Sequence, residues 1–148
     1  MSPPADALVV GAGPVGLTAA LALVRGGVSV DLVEAQATLG SESLAATFHP
    51  PTLQILADLG IDLVGHGIEA RTIGYRDANG GPTARFHLAE LASETCYPYR
   101  RHVPQLEVCR LMLASLEASS ACRIRFGLRV DAEMAAVYPW VIAADGAD

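Results

Sequence analysis

A glycine-rich turn between two apolar runs constrains the fold of this chain more than any other feature. Gly11, Gly13 and Gly16 spell GAGPVG, an instance of the pattern GxGxxG. The turn comes after the strand-like residues 7–10 and precedes the helix-like residues 15–24. The pattern alone is weak evidence, because glycine-rich turns are common, so its value depends on the next elements of the chain.

An acidic residue stands where a dinucleotide-binding unit requires one. A second β-branched run, residues 28–33, comes after the helix-like segment and ends on Glu34, 18 residues after Gly16. Strand, turn, helix, strand and acid in this order predict a βαβ unit that binds a dinucleotide. The alternative is an ordinary tight turn with a solvated acid at a strand end, which the order of the elements within about 30 residues makes the weaker interpretation.

Each residue of the turn has a physical reason to be there. Gly11 permits the tight turn, Gly13 lets a diphosphate approach the backbone, and Gly16 lets the helix pack closely on the sheet. The phosphates are then expected to meet unpaired N–H groups at the helix N-terminus, beside Pro14 and Val15. Proline suits the first helical turn, because the N–H it lacks has no partner there.

The acid at the end of the second strand indicates which ribose the site accepts. Glu34, with Ala35 beside it, is placed to accept hydrogen bonds from ribose hydroxyls. A carboxylate repels a 2′-phosphate, so the sequence favours an adenosine ribose without one.

Composition narrows the class of protein further. The chain has 148 residues, of which 51% are hydrophobic and only 18% charged, against about 25% charged in typical domains. Some apolar surface is therefore expected to meet a partner, either another copy of this chain or a second chain. The net charge of −6 argues against a nucleic-acid partner, which needs a basic face.

The uncharged run 7–24 is not expected to span a membrane, because three glycines and a proline interrupt it. Three cysteines without a CxxC pattern indicate reduced thiols in a cytoplasmic protein. The four histidines show no spacing typical of a metal site, and no catalytic triad or GxSxG pattern is present. We therefore assign no catalytic or metal-binding residue.

The rest of the chain alternates helix-like and strand-like segments, with no clear second domain. We expect a helix at 14–25 that ends at Gly26-Gly27, a short helix from Pro51 to Gly60, and a β-hairpin at 71–88 outside the parallel sheet. A further helix is expected over 104–119, with strands after it at 123–126 and 140–144. In this helix the residues spaced for burial are Leu106, Cys109, Leu113 and Leu116. The predicted fold is a Rossmann-like α/β domain with a parallel sheet and an added hairpin.

With these elements in place, the chain resembles the N-terminal part of the FAD-dependent aromatic-ring monooxygenases, typified by para-hydroxybenzoate hydroxylase. The resemblance rests on four segments: GAGPVGLTAALALVRGG with Glu34, ATFHPPTLQILADLG, VPQLEVCRLMLASL and VIAADGAD. The first is shared by flavoproteins with two dinucleotide-binding domains in general. The other three, in this order, point to the hydroxylases.

The resemblance implies roles for individual residues. The glycine turn would hold the FAD diphosphate and Glu34 the adenosine ribose. Gln105 matches a family glutamine near the flavin's ribityl and phosphate region. Asp145 and Gly146 match an Asp-Gly motif that serves both FAD and NAD(P)H. The alternative for Gln105 is a polar residue in the first turn of a helix. The alternative for Asp145 and Gly146 is a plain turn after a strand.

The implied activity is hydroxylation of a small aromatic substrate with oxygen, using electrons from NAD(P)H that pass through FAD. The chain also departs from the family. Leu44 stands where an arginine is usual, Ala143 stands where a glycine is usual, and the stretch 127–139 is shorter than in relatives. The family continues with a substrate domain that this sequence lacks, so we expect residues 1–148 to form an incomplete FAD-binding domain.

Three interpretations remain open at this point. The first is an FAD-binding oxidoreductase of the hydroxylase type. The second is a non-catalytic nucleotide-binding remnant or a split subunit that needs a second chain. The third is an NAD-dependent dehydrogenase, against which the hairpin and the helix from Gln105 argue, because they interrupt the alternation of strands and helices.

Overall fold

A computed structural model describes residues 3–40 and 47–146. The chain divides into two compact units. The first contains the described residues of Met1–Ser43 and Gln105–Asp148, and the second those of Leu44–Pro104. None of the helices in the described ranges is both long and apolar enough to cross a membrane.

Nine strands and four helices occur in the described residues. In chain order they are β1 (Ala7–Val10), α1 (Pro14–Arg25), β2 (Val30–Glu34), β3 (Thr47–Phe48), α2 (Pro50–Asp58), β4 (Ile68–Ala70), β5 (Thr72–Arg76), β6 (Pro82–His87), β7 (Arg100–His102), α3 (Gln105–Glu117), β8 (Cys122–Phe126), α4 (Ala132–Ala135) and β9 (Trp140–Ala143). A short 3₁₀ turn, Leu88–Leu91, comes directly after β6.

The first unit is built on a parallel sheet of four strands in the order β8-β2-β1-β9. The two central strands are almost wholly buried and, apart from Asp31 and Glu34, apolar, as expected for strands covered on both faces. The α/β fold predicted from the sequence, with its parallel sheet, is therefore confirmed.

Helix α1 has the bounds that the sequence predicted. Pro14 occupies its first turn, and it ends at Gly26, after which Gly27 takes a φ of 81°. That left-handed conformation is common at the end of a helix and favours glycine. The helix then leads directly into β2, whose Val30 pairs with Ala7 of β1.

Helices α1 and α3 pack against each other, and α3 buries two of the four residues predicted for its core face. Cys109 and Leu116 are buried as expected, but Leu106 and Leu113 are only half-buried. Val108 and Met112 take their place in the core. Both sets fit a helical period, so only the contact with α1 decides which stripe faces inward.

The second unit contains two small antiparallel sheets and α2. The predicted hairpin is present as β5 and β6, which form a sheet of their own. Its Tyr75 and Phe86 rings pack edge to face, with centroids 5.8 Å apart. The other sheet, β3-β7-β4, was not predicted from the sequence. Its strands have only two or three residues, too few for an alternating pattern to be visible.

Asp31 of β2 is a buried acid, 1% exposed, at the centre of a polar cluster. Its carboxylate accepts two hydrogen bonds from Arg123, at 2.7 and 2.9 Å, and one from the Tyr138 hydroxyl at 2.7 Å. Burial raises the pKa of Asp31, but the bonds from Arg123 and Tyr138 and the nearby arginine charges outweigh it, so the pKa is lowered overall. The cluster joins β2 to its neighbour β8 and to the segment before β9.

We expect Tyr138→Phe to lower the free energy of unfolding at pH 7 by about 1.5 to 3 kcal/mol, because a buried carboxylate loses a donor. A lowered pKa in the folded state stabilises the protein above the unfolded-state pKa of about 4 and loses that effect as pH falls through the folded value. Urea unfolding at a series of pH values from 7 down to about 2 checks this. A difference between wild type and variant that stays constant over the whole series would contradict the assignment.

Candidate dinucleotide site

The turn after β1 can be made only by glycine at its first position. Gly11 has a φ of 101°, and a Cβ there would overlap the carbonyl oxygen of Ala144 and approach the Asp145 Cα to 3.0 Å. The end of β9 therefore passes directly beside the turn. The amide of Ala144 also donates to the carbonyl of Val10 at 2.8 Å, which continues the pairing of β9 with β1.

Gly16 is required for a related reason. A Cβ at this position would overlap the carbonyl oxygen of Gly11 and come within 3.5 Å of the Ala144 Cβ. The first turn of α1 is thus pressed against the turn that precedes it and against the end of the sheet. The close packing predicted for this glycine is present.

Gly13 differs from the other two, because the protein itself does not require a glycine there. Its φ of −73° is open to any residue, and a Cβ would meet no described atom within 4 Å. Gly13 is the N-cap of α1, and no side chain caps the helix. Among the described residues, the amides of Gly13, Val15 and Gly16 have no acceptor, while Pro14 and Val15 are exposed.

Glu34 reaches across from the end of β2 to the glycine turn. One carboxylate oxygen accepts from the Ala12 amide at 2.7 Å, and the other accepts from the Gln36 amide at 2.8 Å. A carboxylate has about four acceptor positions, so capacity remains for hydroxyl donors. The sequence predicted the acid, but its bond to Ala12 depends on the path of β2 and has no signal in the sequence.

The remaining predicted residues are distributed around this centre. Asp145 is exposed beside Gly11, and Gly146 comes next with a φ of 97°. Ala35 is exposed directly after β2. Gln105 is the half-buried first residue of α3, and within the described ranges its backbone makes no hydrogen bond to the glycine turn. Leu44, where the family resemblance implies an arginine, lies outside the described residues.

These groups are suited to hold a dinucleotide. A bare helix N-terminus with free N–H groups and a partial positive charge attracts a diphosphate, and Gly13 leaves the space for it. The carboxylate of Glu34 lies over the same turn, where it can accept from ribose hydroxyls. No group of three metal-ligating side chains is found in the part of the chain that the structure describes.

A parallel βαβ unit with these groups at its glycine turn defines the class of dinucleotide-binding α/β proteins. Residues 4–141 match the family described as "FAD binding domain", and the chain belongs to that family.

Known relatives are flavin-dependent monooxygenases. Para-nitrophenol 4-monooxygenase of Pseudomonas sp. (strain WBC-3) is 31% identical over 126 residues, which are 84% of this chain and 31% of that protein. The crystal structure of p-nitrophenol 4-monooxygenase PnpA from Pseudomonas putida DLL-E4 has a TM-score of 0.80 and 31% identity, over 86% of this chain and 33% of the other.

A second solved structure, the flavin-dependent monooxygenase PieE in complex with FAD and substrate, has a TM-score of 0.77 and 25% identity. The match covers 99% of this chain and 31% of the PieE chain. The chain thus spans about a third of the length of the relatives it matches.

We expect Gly13→Val to weaken FAD binding at least about tenfold while the fold survives. The valine fills only the space in front of the helix, and its poor N-cap preference costs about 1 kcal/mol. Fluorescence titration of FAD and urea unfolding of the same preparation measure the two effects.

Gly16→Val is the matched comparison, because its side chain must displace the Gly11 carbonyl. We expect this variant to lose about 3 kcal/mol of stability or more. Unchanged FAD affinity in Gly13→Val would show that no diphosphate rests at this turn.

Proposed function

We propose that this chain binds FAD at the glycine turn and forms the cofactor-binding part of an NAD(P)H-dependent monooxygenase that hydroxylates aromatic substrates. The observation that carries the proposal is the bare N-terminus of α1, with the Glu34 carboxylate 2.7 Å from the Ala12 amide beside it. Membership in the FAD-binding family supports FAD over NAD as the bound dinucleotide.

In this proposal the diphosphate rests against the amides of Gly13, Val15 and Gly16. Their N–H groups have no acceptor among the described residues, so binding satisfies donors that the fold leaves free. The helix dipole adds a favourable interaction with the negative phosphates. No acidic side chain occupies the first turn of α1 to oppose it.

The adenosine ribose is assigned to Glu34. Its two oxygens each already accept one backbone amide, and these bonds hold the carboxylate in place before the ligand arrives. Preorganisation of this kind lowers the entropy lost on binding. The negative charge also disfavours a dinucleotide with a 2′-phosphate at this position.

Bound FAD supplies the redox chemistry, and the protein supplies binding and orientation. Asp145 and Gly146 are proposed to contact the cofactor because the backbone at Ala144 and Asp145 adjoins Gly11. Gln105 is proposed for the ribityl and phosphate region from the family resemblance alone. A phenolic substrate is proposed from the names of the nitrophenol monooxygenases that the chain is similar to.

A second candidate function is FAD binding without catalysis, as one part of an assembly with a second chain or another copy of this one. The edge strand β9 favours it, because Trp140 is 73% exposed and Val141 is also exposed. Exposed apolar residues on an unpaired strand edge favour association. We further propose a cytoplasmic location, since Cys96, Cys109 and Cys122 are all free thiols.

We expect Glu34→Gln to weaken FAD binding about tenfold, because the ribose loses a charged acceptor. The glutamine oxygen can accept only one of the two amides that Glu34 bonds, so we expect the free energy of unfolding to fall by about 1 kcal/mol. Titration of FAD into the purified chain, monitored by flavin fluorescence, measures the affinity.

Glu90→Gln removes the same charge in the other unit and should leave FAD affinity unchanged. NAD, titrated in parallel, should bind more weakly than FAD. Equal FAD affinity in Glu34→Gln and wild type would remove the acid from the site, and tighter binding of NAD would favour the dehydrogenase interpretation.

A further inference from the structure

The second unit contains a pocket that the dinucleotide site does not use. It has a volume of about 860 Å³ and lies where the first turn of α2, the 3₁₀ turn after β6 and the segment leading to β7 meet. Pockets that hold small molecules usually measure about 300–1,000 Å³. The space is therefore large enough for a small organic ligand.

Most of the pocket surface is aliphatic. Pro50 and Pro51 line one side, and Leu88, Leu91 and Ala92 line another. Leu91 is 39% exposed, although it is a large apolar residue. An apolar ligand body would remove this surface from water, which favours binding.

Arg100 lines the pocket. Its Nε atom is buried without a hydrogen bond, and no ion pair to its guanidinium is found among the described residues. The neighbouring Arg101 also has an unpartnered Nε, but its terminal nitrogens bond the His66 carbonyl at 3.0 Å and Glu69 at 2.9 Å. The terminal N–H groups of the Arg100 guanidinium can therefore pair with an acceptor in the pocket.

The remaining charges determine which acceptor fits. Glu94 also lines the pocket and is exposed, so a multiply charged anion such as a phosphate is repelled. His49 lines the pocket as a further polar group. A singly charged carboxylate matches one guanidinium, and the forked geometry of arginine suits its two oxygens.

We propose that this pocket binds a small monocarboxylate with an apolar body. The carboxylate pairs with the Arg100 guanidinium, and the hydrocarbon part covers the aliphatic wall formed by the prolines and leucines. This site goes beyond the proposed FAD function, because every residue assigned to FAD lies in the other compact unit.

The test is a calorimetric titration of hexanoate into the full chain, with hexan-1-ol and inorganic phosphate as comparison probes. We expect hexanoate to bind at least about tenfold more tightly than either probe, since a charged hydrogen bond contributes about that factor. Arg100→Gln should weaken hexanoate binding about tenfold. Glu94→Gln should tighten it, because a like charge is removed.

Arg85→Gln on the exposed hairpin strand β6 removes the same charge elsewhere and should leave hexanoate affinity unchanged. If circular dichroism shows that Arg100→Gln does not fold, Leu91→Asp places a carboxylate in the pocket instead and should weaken hexanoate binding as strongly. Equal affinity for hexanoate and hexan-1-ol, or unchanged hexanoate affinity in the folded Arg100→Gln or Leu91→Asp variant, would overturn the proposal.

Discussion

The first unit depends on a place where three backbone segments meet with no room for side chains. Gly11, Gly16 and the Ala144 carbonyl approach so closely that a Cβ on either glycine overlaps a backbone oxygen. This contact fixes the start of α1 against the ends of β1 and β9. The fold itself explains two glycines of the turn. It does not explain Gly13, whose missing side chain leaves open space; under the proposed function this space receives the diphosphate.

Glu34 links the architecture to the proposed chemistry. Its bonds to the Ala12 and Gln36 amides join the end of β2 to the glycine turn within the protein itself. The same carboxylate is the group proposed to receive the ribose. The two oxygens of Glu34 thus bond backbone amides of the protein and are also proposed to bind the ribose. The amide bonds fix the position of the carboxylate before a ligand binds. Asp31, three residues earlier, is buried and accepts its hydrogen bonds from Arg123 and Tyr138, away from the glycine turn.

The sequence predicted those parts whose cause is local. The bounds of α1 depend on Pro14 and Gly26, and the glycine spacing, the acid and the hairpin were all visible without coordinates. The short strands of the β3-β7-β4 sheet were not predicted, because two or three residues carry no periodicity. The buried face of α3 depends on its docking against α1, and the unpaired state of Arg100 depends on the surroundings of β7.

The exposed Trp140 has a practical consequence. It is the single tryptophan of the chain, and it stands at the start of β9, the strand whose far end adjoins the glycine turn. Trp140 is four positions before Ala144, about 13 Å along extended chain. Indole emission overlaps flavin absorption, so this residue is a built-in energy donor for any flavin held at the turn. Occupancy of the first unit can thus be monitored optically without an attached label.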